Sequence, residues 1–143
     1  MNTYWTAFFG RDMTDVRENN PNASVVHVTH KYLGEQSEET ESKLVSIITE
    51  YFTADFENKI VPRMEFSKID YFGENYSRVL CMTNHQFKKY LFMDLRKQLD
   101  VFRKDDFPDW RPHITTDLEF SKIFVFDYFA LVRGNEIVIK FEV

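Results

Sequence analysis

Hydrophobic positions along the 143-residue chain fall into short aromatic and β-branched runs separated by polar punctuation, with two stretches where the spacing becomes helical. Tyr4 to Phe9 reads as a strand, and the polar stretch Arg11 to Ala23 after it contains the loop signal Asn20-Pro21. Ser24 to Tyr32 reads as a second strand. Ser37 is a candidate N-cap with Glu38 and Glu39 in the first turn, and Leu44, Ile47, Ile48, Tyr51 and Phe52 follow at helical spacing, so residues 38–56 are predicted to form an amphipathic helix. Ile60 to Tyr71 and Ser77 to Thr83 are predicted strands joined by a hairpin turn at Gly73-Glu74-Asn75. A second helix is predicted from about Asn84 to just before Phe107 and Pro108, with Phe87, Leu91, Leu95, Leu99 and Phe102 as its apolar stripe. Residues 111–116 form a short strand. Ile123 to Val132 and Glu136 to Val143 form a terminal hairpin about Gly134-Asn135. The strand and helix pattern recurs loosely in two sets. The elements sum to one α+β domain over residues 1–143, two helices on a largely antiparallel sheet.

Composition narrows what this domain does. Hydrophobic residues make up 43% and aromatic residues 17%, with 4 Gly and 4 Pro, which excludes a disordered or fibrous chain. A lone Cys81 permits no intramolecular disulfide and reads as a small buried hydrophobe. No apolar run approaches the roughly 18 residues of a membrane span, and Met1 to Gly10 lacks a basic region and a cleavage site, so a soluble, cytoplasmic protein is expected. The net charge of −5 argues against coating long nucleic acid by bulk electrostatics. That acidity is local: residues 1–60 hold 5 basic and 10 acidic side chains, and the remainder holds 13 of each. A small anionic ligand in a basic pocket therefore stays open.

Two segments carry the chemistry, Val26-His27-Val28-Thr29-His30-Lys31-Tyr32-Leu33-Gly34 and Arg111-Pro112-His113-Ile114-Thr115-Thr116. Each contains His-x-Thr. On a strand the His and the Thr share one face, and Val28 or Ile114 takes the other. If the two strands converge, two imidazoles that titrate near neutrality meet two hydroxyl donors. That set suits acid-base displacement at phosphorus: one His removes a proton from the attacking oxygen, the other protonates the leaving oxygen, and the hydroxyls hold the nonbridging oxygens.

The paired motifs resemble those of the 2H phosphoesterases, or LigT-like superfamily. His27, Thr29, Tyr32, Leu33 and Gly34 match its first motif, His-x-Thr-hydrophobic-x-Phe-hydrophobic-Gly, and Pro112, His113, Ile114 and Thr115 match its second. The 86 positions between the histidines suit the family's pseudo-twofold pair of lobes. The resemblance implies a bilobal fold with antiparallel sheets and two main helices around a central cleft. It also implies a metal-independent phosphodiesterase, without cofactor, whose catalytic residues are His27, Thr29, His113 and Thr115. Members act on RNA 2′,3′-cyclic phosphate ends, on nucleotide cyclic phosphates, on 2′-5′ oligoadenylates and, in compact viral forms of anti-CBASS type, on cyclic oligonucleotides that serve as antiviral signals. The chain is similar to the compact kind, which points to a small cyclic nucleotide or cyclic oligonucleotide substrate in the host cytoplasm, with short RNA ends as an alternative. It departs from the family at His30, where an aliphatic residue is usual, and at Thr116-Asp117-Leu118, which lacks a basic residue.

Accessory roles follow from the same strand geometry. Lys31 lies two positions beyond Thr29 and Arg111 two before His113, so on regular strands each shares its motif's face and reaches phosphate. Tyr4, Trp5, Phe8 and Trp110 are candidates for stacking a base, worth about 1–3 kcal/mol, and Tyr4 is the one selected. His27 and His30 have the spacing of a metal-ligand pair, but a strand sends them to opposite faces, and His85 is expected near a helix cap, so no metal is assigned. Lys88-Lys89, Arg96-Lys97 and Arg103-Lys104 read as a solvated helix face. A non-catalytic nucleotide-binding module is the alternative from a different functional class.

Overall fold

The computed structural model describes residues 1–12, 25–55, 59, 64–72, 77–82, 91–105, 110–115 and 122–143. Seven strands and two helices lie within these residues: β1 (Asn2–Asp12), β2 (Val25–Gln36), α1 (Glu38–Thr53), β3 (Met64–Phe72), β4 (Ser77–Met82), α2 (Met93–Gln98), β5 (His113–Thr115), β6 (Lys122–Arg133) and β7 (Glu136–Glu142). The fold is α+β and every strand pairing is antiparallel. The sheet runs β2-β1-β6-β3-β4-β5, and β7 branches from β6.

β6 holds this arrangement together. One of its edges pairs with β1 from Arg133 to Phe124. Its other edge is divided: β7 takes residues 128–133, and β3 takes only residues 122–124. The sheet therefore has two limbs, a broad β2-β1-β6-β7 limb and a β3-β4-β5 limb joined to it by three residue pairs, which is the expected bilobal layout.

The α1 helix starts where predicted. The Ser37 side chain accepts from the Thr40 amide at 3.2 Å, satisfying one orphan donor. Leu44, Ile48 and Phe52, one turn apart, form its buried stripe. Phe52 stacks on Phe141 of β7 at 4.8 Å and meets Phe129 of β6 at 5.2 Å, while Phe8 of β1 meets Phe129 at 5.2 Å. These rings place the core between α1 and the broad limb. In the β6–β7 hairpin the first turn residue, Gly134, has φ +59°, which a tight two-residue turn requires there.

Within the described residues the second helix is broken where its periodicity predicts a continuous run. Residues 83–90, including His85 and the Lys88-Lys89 pair, lie outside the described residues. Leu91 and Phe92 form a turn, α2 spans six residues, and a 3₁₀ turn at Leu99–Val101 follows. Phe92 adopts φ +56°, a left-handed conformation that costs a non-glycine residue about 1–2 kcal/mol. That conformation coincides with a ring packed on Phe8 at 5.4 Å and Phe52 at 5.1 Å, and with a carbonyl that bonds to His30. Of the polar stretch predicted over residues 11–23, Arg11 and Asp12 instead extend β1, and the rest, like the hairpin turn at 73–75, lies outside the described residues, although Phe72 and Ser77 pair as that hairpin needs. Cys81 is buried, and burial pushes its thiol up. Among the described residues no helix is long and apolar enough to cross a membrane.

Candidate active site

The two motif strands, β2 and β5, are the opposite ends of the sheet path. They nonetheless approach each other with Cα atoms within 8 Å, and among the described residues they share no ladder pair. Curvature of the whole sheet, rather than strand pairing, thus brings His27 and His113 to one place.

His27 is exposed on β2, with Val28 buried behind it and Thr29 half-buried. Two rings of β1 flank its imidazole: Trp5 at 5.1 Å and Phe9 at 5.7 Å between centroids. Trp5 is fixed by its indole N–H, which donates to the Gly134 carbonyl at 3.0 Å, and Phe9 by stacking on Tyr128 at 5.1 Å. Desolvation beside these rings lowers the His27 pKa, and the charge of His113 lowers it further.

His113 is half-buried and edge-on to Phe72 at 4.6 Å. Its Nδ1 lies 2.8 Å from the Arg111 carbonyl. A carbonyl only accepts, so Nδ1 carries a proton, and in the neutral ring Nε2 is left with its lone pair. Desolvation lowers this pKa too, the Arg111 carbonyl opposes the shift, and the Arg111 charge adds to it. β5 itself is anchored by the Met82 amide, which donates to the Pro112 carbonyl at 3.0 Å.

Both imidazoles are therefore biased toward the neutral form. A phosphodiester anion between them acts in the opposite sense, because negative charge favours imidazolium, so substrate entry itself favours the one-protonated, one-neutral pair that acid-base catalysis needs. Thr115 is the last residue of β5, and its side chain lies outside those described.

The accessory expectations for Tyr4, Lys31, Arg96, Phe8 and Trp110 need correction. Tyr4 is fully buried on the α1 side, where its hydroxyl donates to Glu41 Oε1 at 2.8 Å, so it offers no stacking face. Trp5, one residue on, is the ring beside His27. Lys31 does not share the face of Thr29. β2 carries an extra residue at His30 and another at Leu33 relative to β1, and the bulge at His30 reverses the side-chain phase, so His30 and Lys31 are both buried while Tyr32 is exposed. Gly34, with φ +67°, completes the second irregularity. Lys31 Nζ instead bonds Asp100 at 2.7 Å and Asp105 at 2.9 Å. Arg96, expected in a solvated face, is half-buried and pairs with the same Asp105. Phe8 and Trp110 are also core residues.

Arg111 stays near the second motif but is engaged. Its Nη1 donates to Asp70 of β3 at 2.8 Å, and its guanidinium lies 4.3 Å from the Phe72 ring. His30 is fully buried. Its Nε2 lies 3.0 Å from the Phe92 carbonyl and must carry the proton, so in the neutral ring Nδ1 accepts from the Thr6 hydroxyl at 2.9 Å. Burial pulls its pKa down to about 3. It is a hydrogen-bonded core residue, not a ligand, and no group of three or more metal-binding side chains occurs among the described residues.

No protein-family model matches the chain, and no curated protein matches it. Among solved structures it is similar to E. coli LigT complexed with 3′-AMP, at 18% sequence identity over 100% of this chain and 99% of that one, with a TM-score of 0.45.

Proposed function

We propose that the chain, acting as a single domain, is a metal-independent phosphodiesterase of the 2H type, using His27 and His113 as an acid-base pair. The carrying observation is that the two His-x-Thr strands, at opposite ends of the sheet and unpaired with each other among the described residues, meet closely enough for the charge of His113 to act on His27. In the transesterification version, a ribose 2′-OH attacks phosphorus, one imidazole takes its proton, the P–O5′ bond breaks, and the other imidazole gives a proton to the departing 5′ oxygen. In the hydrolytic version, water replaces the 2′-OH and a ribose oxygen of a cyclic phosphate departs. Thr29, and Thr115 on the spacing of its motif, hold nonbridging oxygens.

The favoured substrate is a small cyclic nucleotide or cyclic oligonucleotide, and the favoured role is degradation of cyclic-oligonucleotide antiviral signals in a host cytoplasm. The net charge of −5 supports a compact ligand over a long strand. The test incubates the protein in EDTA with cyclic di- and trinucleotides, 2′,3′-cyclic mononucleotides and a short RNA bearing a cyclic phosphate end. His27→Ala and His113→Ala proteins run beside it. Cleavage by the wild type, with a loss of about 10²–10⁴-fold in each variant, is the expected result. Fastest turnover of the RNA end redirects the substrate assignment. Nucleotide binding without turnover replaces the enzyme by a binding module.

A further inference from the structure

Among the described residues no ladder pair joins β2 to β5, and a side chain of α2 spans the approach between them. Arg96 of α2 touches the first motif segment and the residue that immediately precedes the second. Its Nε–H donates to the His30 carbonyl at 2.8 Å, one residue past Thr29. Its guanidinium lies 4.9 Å from the ring centre of Trp110, three residues before His113. Its Nη1 pairs with Asp105, whose other oxygen receives Lys31 Nζ. His30 and Trp110 also meet edge to face at 5.5 Å. Its inner side is closed to solvent, with the Arg96 side chain 11% exposed and Trp110 8% exposed, while the carboxylates of Asp100 and Asp105 reach the surface. It is also charge-balanced, with Lys31 and Arg96 against Asp100 and Asp105.

We propose that Arg96 is a positioning residue that sets the separation of the two histidine-bearing strands by clamping the His30 carbonyl to the Trp110 ring. The role needs a planar fork. Arg supplies an edge donor for the carbonyl, a second for the carboxylate and a flat face for the indole, whereas a lysine ammonium is a point charge that meets one of these at a time. The spacing follows from the contacts alone, and its catalytic consequence rests on the acid-base reading above.

The test is a cycle of histidine side-chain NMR titrations following His27 in the full chain. The four proteins are the wild type, His113→Gln, Arg96→Lys, and Arg96→Lys with His113→Gln. Among the described residues, Trp5, Phe9 and His113 are the groups facing His27. In the wild-type background, removing His113 raises the His27 pKa, and this rise measures the coupling between the rings. In the Arg96→Lys background the rise is expected to shrink by roughly half, because charge coupling falls with distance. Turnover should fall by roughly 10²-fold with KM little changed.

Arg96→Lys keeps the charge and one donor, so the test stands even where Arg96→Met fails to fold. Unchanged coupling refutes the clamp, whether or not the melting temperature drops, since a purely structural role lowers stability without moving the rings apart. Halved coupling in a protein that shows no phosphodiesterase activity as wild type keeps the clamp and overturns the proposed function instead.

Discussion

Acidification should destabilise this protein through His30 well before its carboxylates titrate. The ring is fully buried, both nitrogens are committed to hydrogen bonds in the neutral tautomer, and its pKa lies at about 3. In the unfolded chain the same ring titrates at about 6.5. The unfolded state therefore binds a proton that the folded state refuses between these values. Stability from this group is complete above the unfolded pKa and is lost as pH falls through 6.5 toward 3. At about pH 5 the unfolded ring is almost wholly protonated and the folded ring almost wholly neutral, which amounts to about 2 kcal/mol. That figure hardly depends on the folded value so long as it stays below about 4. For a chain of this length it corresponds to about 4–8 °C in Tm.

Urea titrations followed by Trp fluorescence at about pH 7.5 and about pH 5 measure the effect, and His30→Gln supplies the control. Glutamine keeps an amide donor and acceptor but does not titrate. It should cost about 1–3 kcal/mol at neutral pH through imperfect hydrogen bonding. Its loss between the two pH values should then be smaller than that of the wild type by about 2 kcal/mol. His27 and His113 are also held below their ordinary pKa and add acid loss of the same sign, but they do so equally in both proteins. Equal pH dependence in wild type and variant would falsify the assignment of His30 as a neutral buried ring.

Two further outcomes follow from the site. Tyr4→Phe removes the hydroxyl that donates to Glu41, which keeps Arg133 Nη1 at 2.6 Å, so the loss should be about 1 kcal/mol in chemical denaturation with steady-state constants unchanged; a raised KM would return Tyr4 to the binding surface. Because desolvation holds the imidazoles of His27 and His113 below 6.5 in the free protein, and under the proposed acid-base reading a base must be neutral while an acid must be protonated, the bell in kcat/KM should centre below pH 6.5. The kcat profile should lie at higher pH, since bound phosphate favours both imidazoliums, and a kcat/KM optimum above neutrality would contradict the geometry.

Much of the architecture was legible in the chain because it is written in local patterns. Ser37 with Glu38 and Glu39 announces α1, and the Leu44, Ile48 and Phe52 spacing fixes its buried face. Gly134-Asn135 between β-branched runs announces the last hairpin. The paired His-x-Thr segments also stood out in the sequence, since a period of two places each His beside its Thr without any knowledge of the rest.

Other features were decided only by tertiary structure. β1 is aromatic on both faces, Tyr4 and Phe8 against Trp5 and Phe9, so alternation could not say which ring would lie beside His27. The bulge at His30 adds one residue to β2 and so reverses the side-chain phase of the residues that follow it as far as the next bulge, at Leu33, which turned Lys31 from the expected phosphate contact into a buried cation paired with two partly exposed carboxylates. Leu91, Leu95 and Leu99 keep helical spacing, yet Phe92 leaves the helix because its ring and carbonyl are taken by the core and by His30. Above all, the meeting of β2 and β5 is a property of the whole sheet. Sequence determines which face of each strand carries the imidazole, whereas the distance between strands at opposite ends of a curved sheet depends on the twist of every strand between them and on the side chains, Arg96 among them, that fill the gap.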